Sequence, residues 1–188
     1  MKFSLAVIDP PWRWEAYSEK GNDRRPPYET MGELLHDIDI NSVLEKDAIV
    51  FLWVIDSMLP EAMRLVSEWN LTFRTVGFYW TKHRISGAEH MGTGYYTRAN
   101  PEQCWILRKG KGIKRVSASV RRWLHAPVGA HSAKPQEFYD RVVALFGDVP
   151  RLDVFARDTR PGWTCVGNEI DGLDIVEALN RLKEIEDV

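Results

Sequence analysis

The chain opens on an apolar run that cannot continue past its eighth residue. Phe3-Ser4-Leu5-Ala6-Val7-Ile8 leads directly into Asp9-Pro10-Pro11-Trp12. Two consecutive prolines remove two backbone donors and fix φ twice, which ends a central strand at that point. The run before them reads as a buried strand. Residues 48–54 (AIVFLWV) and 73–80 (FRTVGFYW) have the same character, and residues 60–69 between them read as a helix with Pro60 in its first turn. Residues 103–107 and 152–156 are further strand candidates. Residues 135–146 read as a helix stopped by Gly147, and residues 174–185 as a terminal amphipathic helix. Near-continuously apolar strands alternating with helices imply an α/β domain, doubly wound, with a mostly parallel sheet and helices on both faces. Ligands of such sheets bind beyond the carboxyl ends of the strands, which is where Asp9 falls.

Nothing in the sequence divides the chain, so residues 1–188 are expected to form one domain. The net charge of −2 excludes a global positive field, so any contact with nucleic acid has to come from local patches. Cys104 and Cys165 are separate and sit in apolar runs, as expected of free thiols in a reducing compartment. There is no signal-peptide pattern and no apolar stretch of the ~20 residues a membrane span requires. The expectation is a cytoplasmic protein without membrane contact. The five histidines have no metal-ligand spacing, so no metal is expected.

The residues at the end of the first strand suit one kind of chemistry. The exocyclic amine of adenine is a poor nucleophile because its lone pair is delocalised into the ring. A site that accepts hydrogen bonds from both of its N–H groups localises that lone pair. A carboxylate and a backbone carbonyl are pure acceptors, and Asp9 and Pro10 can supply them. The prolines would hold both rigidly. Trp12 would offer a flat face for an extruded base, worth roughly 1–3 kcal/mol of stacking.

With these residues in view, the chain resembles the DPPW-type adenine-N6 methyltransferases. The resemblance runs from residue 7 to about residue 170, through AVIDPPWRWE, PPYETM, VFLWV, MGTGYYTRANPEQCWILRKGKG, HSAKPQEFYDRV, LDVFARDTRPGW and GNE in that order. It is nearer to the compact bacterial and phage branch than to the eukaryotic messenger-RNA enzymes. It implies a Rossmann-like S-adenosylmethionine-dependent methyltransferase fold with permuted motif order, the catalytic motif first and much of the cofactor site last. The implied reaction is methylation of the N6 amine of adenine in nucleic acid. DNA is favoured over RNA, and a non-catalytic binding partner of a methyltransferase is the rival from another class. By matched position, Asp9, Pro10, Pro11 and Trp12 would be catalytic. Tyr28 would stand beside the adenine pocket. Asp9, Lys134, Phe155, Arg157, Asn168 and Glu169 would contact the cofactor. The stretch Asp158-Thr159-Arg160-Pro161 is shorter than its eukaryotic counterpart and lacks an equivalent asparagine. A segment that contacts the cofactor adenine in eukaryotic relatives has no counterpart ahead of the first strand, so how that adenine is held stays open.

Other signals are weaker. Residues 108–122 carry seven basic side chains and no acid, a candidate phosphate strip in which Lys109 and Lys111 would contact substrate. Two long segments, 13–30 and 83–100, resist assignment to helix or strand, and loops of that length are usually functional or disordered. The first carries Arg24 and Arg25, candidate phosphate contacts. In the second, Gly92-Thr93-Gly94 lacks the third glycine of a dinucleotide fingerprint. Tyr95, Arg98 and Asn100 are instead expected to face substrate, with Glu102 near the adenine pocket. The sequence leaves a homodimer or heterodimer open.

Overall fold

The computed structural model describes residues 2–12, 33–92, 94, 96–129 and 133–184. A seven-stranded sheet forms its centre. The strands are β1 (Phe3–Ile8), β2 (Leu44–Val54), β3 (Thr72–His83), β4 (Glu102–Lys109), β5 (Trp123–Pro127), β6 (Arg151–Val154) and β7 (Thr164–Val166). They lie in the order β5-β3-β4-β2-β1-β6-β7. Only β4 runs antiparallel to its neighbours. The carboxyl ends of six strands and the start of β4 therefore share one rim. The helices are α1 (Leu59–Glu68), α2 (Gln136–Phe146), the single-turn α3 (Asn168–Asp171) and α4 (Ile175–Glu184).

The alternation of side chains along each strand sends the two halves of the apolar sequence to opposite faces. Ala6, Ile8, Val50, Leu52 and Val154 meet α1 and α4 on one face. Leu5, Val7, Phe51, Trp53, Phe78 and Trp80 meet α2 on the other. Each helix presents one buried stripe: Ala62, Leu65 and Val66 on α1, and Phe138, Tyr139, Val142 and Phe146 on α2. Helices on both sides of a mostly parallel sheet are the Rossmann-like methyltransferase architecture expected from the sequence. Among the described residues, no helix is long and apolar enough to cross a membrane.

The position of α2 matters most for the rim. Phe138 sits in its first turn with its ring 4.9 Å from Trp53, 5.3 Å from Phe78 and 5.9 Å from Phe51. Edge-on aromatic pairs of this kind add about 0.5–1.5 kcal/mol each beyond area burial. They pin the amino end of α2 beneath the ends of β2 and β3. At its other end Gly147 has φ 76°, a conformation other residues adopt at a cost, and donates its N–H to the Val143 carbonyl at 2.7 Å.

A polar clasp fastens the opposite face. His36, in the 3-10 helix Glu33–Asp37, bonds Glu68 through Nδ1 and Glu61 through Nε2, both on α1. Burial lowers the His36 pKa, but the two carboxylates outweigh burial and the Arg64 guanidinium and hold it above the usual 6.5. A raised folded pKa gives stability that is complete below the unfolded value and is lost as pH rises through the folded one. The melting-temperature deficit of His36→Ala is therefore expected to be larger at pH 6 than at pH 9. The contribution should be about 1 kcal/mol or less. A deficit that did not change with pH would show that the imidazole is not charged in the fold.

Candidate active site

Asp9 follows β1 directly, and its N–H reaches the Val154 carbonyl at 3.4 Å. The turn then closes on itself. The Trp12 N–H donates to the Pro10 carbonyl at 2.8 Å, and the Trp12 indole N–H donates to the Trp53 carbonyl at 2.8 Å. The motif is thus tied to β6 on one side and β2 on the other. Trp12 is only 5% exposed and packs in the core. This corrects the expectation of an open stacking face: the indole anchors the turn. The Pro10 carbonyl keeps a second lone pair for another donor.

Lys134 comes from the far end of the chain to meet Asp9. It precedes Pro135, the residue that caps α2, and a residue before proline is steered into extended backbone. Its ammonium lies 2.7 Å from Asp9 Oδ2 and 3.3 Å from Glu102 Oε2, and 5.2 Å from the centre of the Trp53 ring. Glu102, the first residue of β4, also bonds the Lys82 ammonium. A chain of alternating charges, Asp9–Lys134–Glu102–Lys82, therefore crosses the rim from β1 to β3.

Burial raises the Asp9 carboxyl above its ordinary value, and Glu102 adds to the rise while Lys134 opposes it. Glu102 is pushed up by burial too, but its two lysines outweigh that and hold it below the usual carboxylate range. Burial works against the charged form of Lys134, yet Asp9 and Glu102 together raise its pKa. The lysine is thus a fixed cation. Glu102 is a fixed anion, and Asp9 is the member whose charge is most open to change. Paired titratable groups whose environments push them apart mark functional sites.

The neighbouring strand ends supply a second group of side chains. Phe155, just past β6, has φ 64°, an uncommon conformation for a non-glycine residue. The Ala156 N–H bonds the Val166 carbonyl at 2.9 Å, so the turns after β6 and β7 lie together. A Cβ on Gly167 would come within 2.4 Å of the Ala156 carbonyl oxygen, so only glycine permits this approach. Asn168 and Glu169 open α3 at this point, and Arg157 lies 3.7 Å from Glu169. The donor set is a guanidinium, an amide and carboxylates around closely apposed turns. Such a set could hold a ligand with an amino-acid end and ribose hydroxyls.

Not every residue expected at the site is there. Lys109 closes β4 at the opposite edge of the sheet, paired with Ala48, and its ammonium bonds the carbonyls of Asn41 at 2.9 Å and Leu44 at 3.0 Å. The Lys111 N–H bonds Asp47 at 2.6 Å in the same region. Seven residues of strand at ~3.4 Å each separate Lys109 from Glu102, so neither lysine belongs to the Asp9 rim. Asn100 has a structural task. Its amide accepts from the Lys82 N–H at 2.7 Å and donates to the Lys82 carbonyl at 2.9 Å and to the His90 carbonyl. It staples its loop to β3. Arg98 is exposed in that loop. Arg24, Arg25, Tyr28 and Tyr95 lie outside the described residues.

Sequence reasoning missed two features. Lys82 lies between Thr81 and His83 at the end of β3, past the apolar run, and its polar surroundings gave no signal. The second is Asp153 on β6, which burial drives up to about 7 against the opposing Arg160 and Tyr139. Arg160 stacks on Tyr139 with its guanidinium 3.4 Å from the ring centre. The group packs against α2 and braces the β6 side of the rim.

This arrangement has known relatives. The MT-A70 family model matches residues 3–169. The chain belongs to the MT-A70 family. Among its curated relatives, a type II methyltransferase, M.MunI, from Mycoplasma sp is 30% identical over 137 residues, covering 72% of this chain and 56% of the relative. An N6-methyladenosine RNA methyltransferase MTA1 from Pyricularia oryzae is 29% identical over 180 residues, covering 89% of this chain and 47% of the relative. An N(6)-adenosine-methyltransferase MT-A70-like protein from Drosophila melanogaster is 25% identical over 181 residues, covering 94% of this chain and 28% of the relative. The MT-A70 match starts at β1 and ends at α3, so it takes in Asp9, Glu102, Lys134 and Asn168 alike. The chain spans about half or less of the length of these relatives.

Proposed function

We propose that this protein transfers a methyl group from S-adenosylmethionine to the N6 amine of adenine in nucleic acid. The observation that carries the reading is Asp9 beside the Pro10 carbonyl, with its Oδ2 held by Lys134 at 2.7 Å on the rim where the strands end. S-adenosylmethionine, when bound, supplies an electrophilic methyl on a sulfonium. Phe155, Arg157, Asn168 and Glu169 would hold it: the guanidinium suits its carboxylate, and Asn168 and Glu169 suit its ribose hydroxyls.

The chain's own residues would do the rest. Asp9 Oδ1 and the Pro10 carbonyl accept the two N–H groups of the adenine amine and turn its lone pair outward. Lys134 fixes the carboxylate so that the acceptor does not rotate away. Acceptors that need no reorganisation act through positioning and preorganised electrostatics. Trp12 and the prolines keep the turn rigid. The proton released after transfer goes to Asp9 or to water. The Arg98 loop, with Arg24, Arg25, Tyr28 and Tyr95, is assigned to the nucleic-acid side of the site.

Similarity to the compact bacterial and phage enzymes puts DNA first as substrate. The RNA methyltransferase name of the fungal relative keeps RNA as the second reading. The test is incubation of purified protein with labelled S-adenosylmethionine and matched DNA and RNA oligonucleotides, followed by nucleoside analysis. Label in N6-methyldeoxyadenosine supports the first reading, and label in N6-methyladenosine the second. No label in either, from a protein whose melting temperature rises with S-adenosylmethionine, would leave it as a cofactor binder and overturn both.

A further inference from the structure

The sheet edge beyond the ion-pair chain carries aromatic rings that the proposed chemistry does not use. On β5 and the end of β3, Trp123, His125 and His83 form a row. The Trp123 and His125 ring centres are 5.8 Å apart, and those of His125 and His83 are 4.6 Å apart. Trp123 is 63% exposed, which is unusual for tryptophan, yet it is not loose. Its indole N–H donates to Thr81 Oγ1 at 2.7 Å, and the same oxygen lies 3.0 Å from His125 Nδ1. Trp123 and His125 line a recess of about 310 Å³ together with Thr81, Lys82, Glu89, Asn100 and Pro101. Tyr79, also partly exposed, pairs with Trp123 in the sheet. Arg121 and Arg122 lead into β5 and Arg84 follows β3, all exposed, in a chain whose net charge is −2.

Pre-oriented exposed rings beside arginines are the chemistry that binds unpaired nucleic acid, with bases on the rings and phosphates on the cations. The location agrees. Trp123 is level with Tyr79 and Gln103, and Lys82 lies in both the recess and the charge chain leading to Asp9. Four strand spacings of ~4.8 Å separate β5 from β1, close to the length of about six stacked nucleotides. We propose that the Trp123–His125–His83 row is a second contact for the substrate strand, stacking unpaired bases that flank the target adenine, with Arg121 and Arg122 on their phosphates. The proposal rests on the adenine-methylation reading above and adds where the rest of the strand lies.

The test uses the full chain and a fluorescein-labelled single strand of about 12 nucleotides containing adenine, as DNA and as RNA. Anisotropy gives the affinity of the parent, Trp123→Ala and Trp123→Phe. Trp123→Ala should bind about five- to a hundredfold more weakly, and Trp123→Phe, which keeps a ring, should bind nearly as the parent does. The melting shift with S-adenosylmethionine should be the same in all three, which excludes misfolding. KM for the strand should rise in Trp123→Ala with kcat retained. A parent that binds and methylates while Trp123→Ala matches it in affinity overturns the platform alone. So does a parent dimer that becomes monomeric on Trp123→Ala with oligonucleotide affinity unchanged, since the edge is then a self-association surface. A parent that methylates adenine yet binds neither single strand also overturns the platform and leaves the methylation reading standing.

Discussion

Asp9→Ala is expected to lower methyl transfer by at least a hundred- to a thousandfold while leaving S-adenosylmethionine binding close to that of the parent. Removing one preorganised hydrogen-bonding group at a reacting centre costs about that much. Asp9 is more than one group among several, because the amine has only two N–H groups and the Pro10 carbonyl can accept only one. Pro10 already takes the Trp12 N–H, so its carbonyl has one lone pair left and cannot also replace the lost carboxylate. The cofactor side rests on Phe155, Arg157, Asn168 and Glu169, which sit on β6 and β7 turns that Asp9 does not build. Melting with and without S-adenosylmethionine measures that half separately. The pH profile of the parent supplies a second check. The acceptor role needs the ionised carboxylate, and burial with the nearby Glu102 raises the Asp9 pKa above 3.8. Activity should therefore fall toward acid along a limb that lies above 3.8 and is missing from the residual activity of the variant. Equal loss of cofactor binding and transfer in Asp9→Ala would sink the division of labour between the strand ends.

That division is legible in part in the order of the residues. The strands β1 and β2 announce themselves because both of their faces are buried, so their residues run apolar without alternation. β3 is legible from its aromatic and β-branched run, although Phe73 and Tyr79 stay partly exposed. The amino end of α2 is legible because proline there removes a donor that a helix start does not use. β5 and β7 are not. Trp123-Leu-His-Ala-Pro127 and Thr164-Cys-Val166 are short and mixed, and each becomes a strand because a neighbour offers it a ladder. The orientation of β4 is likewise absent from its residues. That is why Glu102 and Lys109, seven positions apart in one segment, are both expected at the substrate from sequence alone: a strand carries its two ends to opposite rims of a sheet. Trp12 shows the converse error. Its ring type suits a base or a core equally well, and only the position of the Trp53 carbonyl decides between them.

The second large effect concerns the fold as much as the chemistry. Lys134→Met is expected to destabilise the protein at pH 8 by about 3–5 kcal/mol, the usual cost of removing one partner from a buried ion pair. For a chain of this size that is a drop of about 10 °C in melting temperature. The cost arises because Asp9 and Glu102 then face each other in a buried site with their shared cation gone, and only Lys82 remains on Glu102. The sign of the pH dependence follows. In the parent, the raised Lys134 pKa gives stability that is complete below the unfolded value near 10.4 and is lost only as pH rises through the folded one. It is therefore fully present at pH 8. In the variant Asp9 keeps the rise that burial and Glu102 give it and loses the opposing Lys134, so its folded pKa stays above its unfolded one and the stability linked to it is lost as pH rises through that value. The gap between parent and variant should narrow from pH 8 to pH 5 as Asp9 takes up a proton. Adding Glu102→Gln to Lys134→Met removes one of the two stranded charges and should recover part of the loss, a coupling that independent sites would not show. Thermal melts of the parent, Lys134→Met, Glu102→Gln and the double variant across this pH range measure all of it. A Lys134→Met protein as stable as its parent at pH 8, with no change in the gap toward pH 5, would mean that the lysine does not hold the two carboxylates together.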